Sequence, residues 1–156
     1  MLRGPIVTSS FLASSPQAVW DRIATFEGIN DEFAGLLRMT APRAVREAGL
    51  DGITPGERLC RSWILLLGVL PLDYDDITVI ELDPPHGFLE RSPMLSNRLW
   101  EHRRTIEEAP GGCVLTDAIR YEPRVPVPHP LLRRVYGAVF ALRHRRLRKR
   151  FGGERR

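Results

Sequence analysis

Apolar residues recur along this chain first at strand spacing and then at helix spacing. A long run at strand spacing follows, and a final stretch returns to helix spacing. "PIVTSSFLAS" alternates loosely and predicts a first strand. "SSPQAVWDRIATF" follows with capping serines and an early Pro16. Val19, Trp20, Ile23 and Phe26 then fall on one helical face, and Gly28 is expected to end the turn. Asn30, with Asp31 and Glu32 behind it, predicts a second short helix carrying Phe33, Leu36 and Leu37. Two short helices so close together form a V-shaped brace.

"LLRMTAPRAV" predicts a strand, and "REAGLDGITPGE" a loop marked by glycine and proline. Strands are expected at 58–67, 72–82 and 88–92, with "DPPHG" turning the chain between the last two. A hairpin, "LWEHRRTIEEAPGGCVLTDAIRY", comes next with "APGG" as its turn. The prolines of "EPRVPVPHP" exclude a helix or a central strand, because each removes a backbone donor. Pro130 then opens a long helix whose stripe is Leu132, Val135, Tyr136, Val139 and Phe140, continued by Leu147 and Phe151 to Gly152–Gly153. At about 1.5 Å per residue this helix is long enough to cross a small sheet. Strands in a run beside one segregated helix predict an α+β fold with an antiparallel sheet of about seven strands. A single domain is expected over residues 1–152, with 153–156 as a basic tail.

The hairpin carries the chemistry. A four-residue turn sets Glu108 against Cys113, Ile106 against Leu115, Arg104 against Asp117, His102 against Ile119 and Trp100 against Tyr121. From Ile106 and Leu115 to Trp100 and Tyr121 these eight share one face, and that face holds a charged pair with a histidine diagonal to Asp117. Charge in a dry core must be paired, wetted or bound to a ligand. The cluster is therefore a buried ion pair fixing register, a polar anchor at the back of an apolar pocket, or both.

Composition narrows the classes. Cys60 and Cys113 are far apart and suggest neither a disulfide framework nor a metal motif. The scattered His86, His102, His129 and His144 lack metal-ligand spacing, so no metal or cofactor is expected. No GxSxG, GxGxxG or phosphate loop is present. "MLRGPIVTSSFLASS" lacks the apolar core of a secretory leader, and the expected location is the cytoplasm. "WILLLGVLPL" is about half a membrane span; it predicts a strand buried on both faces or one ending in an apolar turn at a cavity rim. If Leu70–Pro71 is exposed there, it could touch lipid or form a homodimer contact.

The net charge of +4 divides into +9 over residues 131–156 and −5 over the rest. The basic run Arg143–Arg150 could meet an anionic membrane or a partner. It is more simply a solvated helix end whose cations complement the macrodipole. No aromatic residues interleave it for base stacking, which argues against nucleic acid.

"SPQAVWDRI", "ITVIELDPPHGFLERS", "LWEHRRTIEEAPGGCVLTDAIRYEP" and "YGAVFALRHRRLRKRF" together resemble the START-like, or SRPBCC, superfamily of polyketide cyclases, coenzyme Q-binding proteins and pollen allergens. The resemblance implies a helix-grip fold, a curved sheet around the long helix with a cavity between them. It also implies that Trp100, His102, Arg104, Asp117 and Tyr121 look toward that cavity. Arg104 stands where relatives often carry a second histidine, and the proline-rich link departs from the usual pattern. The function expected is non-covalent binding of an apolar or aromatic small molecule such as a lipid, polyketide or quinone. Trp100, Ile106, Ile119, Tyr121, Val135, Tyr136, Val139 and Phe140 would form the walls, and His102, Arg104 and Asp117 would orient a polar end. The alternatives are a cyclase or dehydratase using His102 and Asp117 as acid–base groups, and an interaction module acting through the basic helix.

Overall fold

The computed structural model describes residues 1–156. In chain order the elements are β1 (Arg3–Leu12), α1 (Pro16–Ile23), α2 (Phe26–Glu32), β2 (Leu37–Met39), α3 (Arg43–Ala48), a 3₁₀ turn (Gly49–Gly52), β3 (Arg58–Leu66), β4 (Leu70–Asp83), β5 (Gly87–Ser92), β6 (Asn97–Ala109), β7 (Gly112–Pro123), α4 (His129–Phe151) and β8 (Gly153–Arg155). The eight strands form one sheet in the order β2-β3-β4-β5-β6-β7-β1-β8, antiparallel throughout. Register shifts interrupt the ladders near Cys60, Leu65 and Val79, and such irregularities bend strands and increase twist. The α+β class is as the sequence indicates, with one strand more than the expected seven.

The hairpin β6–β7 pairs in the expected register, from Glu108↔Cys113 through Arg104↔Asp117 to Trp100↔Tyr121. Gly87 lets β5 lie against β6 beside Arg104. Its φ is +141°, and a Cβ there would stand 2.0 Å from the Arg104 carbonyl oxygen.

Four local expectations are corrected. The second helix starts at a Thr25 cap, whose Oγ1 accepts from the Gly28 amide at 3.0 Å. Asn30 is not a cap: its amide bonds both backbone groups of Met39, at 2.7 and 3.0 Å, and ties α2 to β2. Gly28 does not end a turn but permits the α1–α2 corner, since a Cβ there would lie 1.8 Å from Arg22 O. The strand foreseen in "LLRMTAPRAV" is only three residues long, and Arg43–Ala48 is helical.

Two further findings concern the chain's longest apolar run, where the structure takes the alternative of a strand ending in an apolar turn, and the chain's end. "WILLLGVLPL" is the β3–β4 hairpin, with an exposed tip: Leu67 is 68% and Val69 79% accessible. Residues 153–156 are not a free tail. Gly153–Arg155 pair with Ser10–Leu12, because the glycines after α4 reverse the chain onto the open edge of β1.

The core lies in two apolar groups with a polar layer between them. One group packs α1 and α2 on the sheet through Val19, Trp20, Ile23, Phe26, Ile106 and Leu115, and Leu147 of α4 joins it. The other, with Trp100, Ile119, Tyr121 and Phe140, lies under the first half of α4. Along β6 the order Trp100, His102, Arg104, Ile106 therefore runs apolar, polar, polar, apolar. Along α4 the order Phe140, Arg143–His144, Leu147 repeats it.

Candidate ligand cavity

Strand alternation turns His102 and Arg104 of β6 and Asp117 of β7 onto the concave face. Arg104 is buried and all three of its guanidinium nitrogens are engaged. Nε and Nη2 donate to Asp117 Oδ1 and Oδ2, each at 2.7 Å, and Nη1 lies 2.8 Å from Glu32 Oε1. Arg143 of α4 donates to Glu32 Oε2 at 2.9 Å. Two guanidinium groups thus face two carboxylates, a balanced arrangement in which each buried charge has a hydrogen-bonded partner.

Asp117 also holds two histidines, His102 Nε2 at 2.7 Å and His144 Nε2 at 3.0 Å. His144 Nδ1 is 2.8 Å from Ser10 Oγ, which accepts from Arg148 at 2.8 Å. Burial alone would raise the pKa of Asp117; the charge of Arg104, and then the neighbouring His102 imidazole, outweigh it and hold the carboxyl well below its ordinary value. Burial would lower that of Arg104, and Asp117 and Glu32 reverse the direction and raise it. For His102 burial prevails over Asp117, and its pKa is lowered. His102 is therefore neutral at pH 7, with Nε2–H donating to Asp117 and Nδ1 left as an acceptor.

A cavity of about 340 Å³ opens between the sheet, the α1–α2 brace and α4, and 20 of its 27 lining residues are hydrophobic. Of the residues expected at the site, Trp100, His102, Arg104, Val135, Tyr136, Val139 and Phe140 line it. Ile106, Asp117, Ile119 and Tyr121 do not; they are sealed behind the wall. Ile106 packs under α1 and α2. Asp117 is enclosed by Arg104, His102 and His144, and Ile119 lies under α4. Tyr121 places its ring edge against Tyr136 and its hydroxyl 2.9 Å from His129 Nδ1.

Several polar residues at the site went unread in the sequence. Asp75 falls in phase with inward-facing Ile77 and Val79, and Glu90 with Phe88 and Ser92, so strand period alone could have found both. Arg143 and His144 follow Phe140 at helix spacing, a signal masked by the surrounding arginines. That basic run is not uniformly solvated: Arg143, His144 and Leu147 are buried, while Arg145, Lys149 and Arg150 remain exposed. An inner face committed to Glu32, Asp117 and Ser10 cannot also form a membrane or partner surface. Glu32 carried no local signal, since its partners lie on β6 and α4.

Residues 10–151 match the model of a family described as Domain of unknown function (DUF8410). The chain belongs to that family. No curated protein matches it. Among solved structures, protein CV1439 from Chromobacterium violaceum superposes with a TM-score of 0.69 at 12% identity, over 94% of this chain and 96% of that one. A START superfamily protein from Mycobacterium smegmatis gives 0.66 at 14% identity, over 95% and 97%. Ara h 8.0201 gives 0.60 at 9%, over 94% and 98%. At such identities the likeness is one of fold, and this DUF8410 domain has the START-like, helix-grip fold. No helix in it is long and apolar enough to cross a membrane.

Proposed function

We propose that the cavity binds an apolar or aromatic small molecule non-covalently. The observation that carries this reading is an open volume of about 340 Å³ whose wall is mainly hydrophobic. A native interior is normally packed to the density of an organic crystal, so a space of this size is a standing cost unless occupied. Small-molecule sites have this composition, apolar walls with a few placed polar groups. Lipids, polyketides and quinones all fit that description.

Arg104 has a different role here from the ligand anchor expected of it. All its nitrogens are engaged by Asp117 and Glu32, so it supports the wall and leaves the polar contacts to His102 and its neighbours. Val139 of α4 lines the cavity and is partly buried. Val139→Phe should fill the space, reducing binding of the neutral dye Nile red by about tenfold, a difference of ~1.4 kcal/mol, with the melting temperature kept or raised. Unchanged binding in a folded variant would place the dye elsewhere and refute the reading.

A second reading has one specific support. The neutral His102, held through Nε2 by Asp117 and exposed to the cavity, has the form of a general base. In a cyclase or dehydratase of that kind, His102→Gln would remove turnover and leave binding of a neutral probe intact.

A further inference from the structure

Apart from Asp73, whose carboxylate is held by Ser96 and the Tyr74 amide, the cavity wall contains one pair of ionisable groups that the charge network does not balance. Arg104 and Arg143 are matched by Asp117 and Glu32. Asp75 of β4 and Glu90 of β5 also line the cavity, and neither has an arginine or lysine within ion-pair distance. The one basic side chain near either is His102, whose Nδ1 is 3.8 Å from Glu90 Oε2. As a neutral imidazole, it contributes no positive charge.

The hydrogen bonding is equally incomplete. Glu90 Oε1 accepts from Ser92 Oγ at 2.7 Å, and Ser92 Oγ accepts in turn from the Thr78 amide at 3.0 Å. Asp75 is only 3% exposed, and its Oδ1 has no partner at all. A buried acceptor left unmade costs about 1–3 kcal/mol. Asp75 and Glu90 line the same wall on neighbouring strands. Burial, and then the Glu90 charge, raise the Asp75 pKa well above the usual carboxylate range. One proton shared by two acids is what such a pair adopts when no cation is available.

We propose that the ligand's polar end is a protonated amine carried on its apolar body, and that it docks against the Asp75–Glu90 carboxyl pair. This rests on the cavity being the ligand site. An ammonium group supplies both things the pair lacks, a positive charge and several N–H donors. Glu90 gains a cation, the unpartnered Asp75 oxygen gains a donor, and the charge of the pair is balanced. A carboxylate ligand would add a second negative charge beside the pair in an apolar setting. Arg143, with an unpartnered Nε, is the group that could favour an acid instead. Its charge is already matched by Glu32, and its guanidinium lies 4.9 Å from the ring centres of Phe33 and Phe140. These carboxyls and His102 do not converge as a metal site, which leaves an organic cation as the complement.

The test is calorimetric titration of the full chain at pH 7.5 with decylamine, decanol and decanoate, which share one tail. Decylamine should bind at least about tenfold tighter than decanol, with decanoate weakest. Glu90→Gln and Asp75→Asn should each remove most of the amine's advantage over decanol. Val139→Phe should weaken all three alike. Should Asp75→Asn not fold, Glu90→Gln and the wild-type ranking still decide. Equal affinity for amine and alcohol, or preference for decanoate, would overturn the amine assignment and leave the cavity reading standing. If none of the three binds, the cavity reading falls and takes this proposal with it.

Discussion

Replacing Arg104 with Met tests the charge layer directly. Methionine keeps the length and apolar stem of the side chain and removes three nitrogens bound to Asp117 and Glu32 at 2.7–2.8 Å. Both carboxylates stay buried, at 0% and 2% exposure. Taking one partner from a buried pair costs about 3–5 kcal/mol, because the other charge is left uncompensated. Domain stabilities are about 5–15 kcal/mol, so this is a large share. At about 2–4 °C per kcal/mol the melting temperature should fall by about 6–20 °C.

The loss should depend on pH. In the wild type the folded-state pKa of His102 is lowered, so stability declines as pH falls below the unfolded value near 6.5. In the variant Asp117 faces His102 with no guanidinium, which raises the folded-state pKa of the imidazole. The variant thus binds the imidazole proton more readily than the wild type, so the two stabilities converge as pH falls and separate as it rises. The deficit is therefore expected to be larger at pH 8 than at pH 5.5. Urea unfolding followed by fluorescence of buried Trp20 and Trp100 measures it at both. A deficit below about 1 kcal/mol at pH 8, or one that does not shrink on acidification, would refute the account. Adding Asp117→Asn should recover part of the loss by removing the stranded charge, whereas Glu32 keeps Arg143 as its partner.

Asp75→Asn should stabilise the free protein by about 1 kcal/mol at pH 8, since it removes a buried acid whose folded-state pKa is raised. Such an acid contributes most stability below its unfolded pKa near 4 and loses it as pH rises. The gain should therefore vanish toward pH 4 in thermal melts, and a pH-independent effect would contradict the raised pKa. Truncation after Gly152 should cost about 1 kcal/mol by removing the β8 ladder on Ser10–Leu12 and the Arg156 amide bond to Ser9 O. An unchanged melting temperature would show that this edge strand contributes nothing.

How much was legible depended on how far apart the deciding residues lie. The hairpin register could be read because the partners of Arg104 and His102 sit a few residues beyond a short turn. A one-residue slip would have turned Trp100, Ile106 and Tyr121 outward. The stripe on α4 was legible through Phe140 for the same local reason. Farther along that helix, Arg143 and His144 occupy the same face, but their buried partners are Glu32 and Asp117 on other elements, so the run looked like a solvated end. Asp75 and Glu90 were legible in phase and illegible in environment.

The sequence by itself determined which side each residue takes, because backbone periods of two and of 3.6 are local properties of the chain. It also determined the antiparallel hairpin and the long helix, and with them the α+β class. Only the tertiary structure decided what covers each inward face. Arg143 meets Glu32 across 111 residues and Ser10 meets His144 across 134, and no local pattern encodes such an encounter. His144, so held, encloses Asp117 behind the wall, and Glu32 completes the pairing of Arg104. These encounters leave Asp75 and Glu90 lining the cavity without a cation, since the two guanidinium groups that reach the layer are already paired.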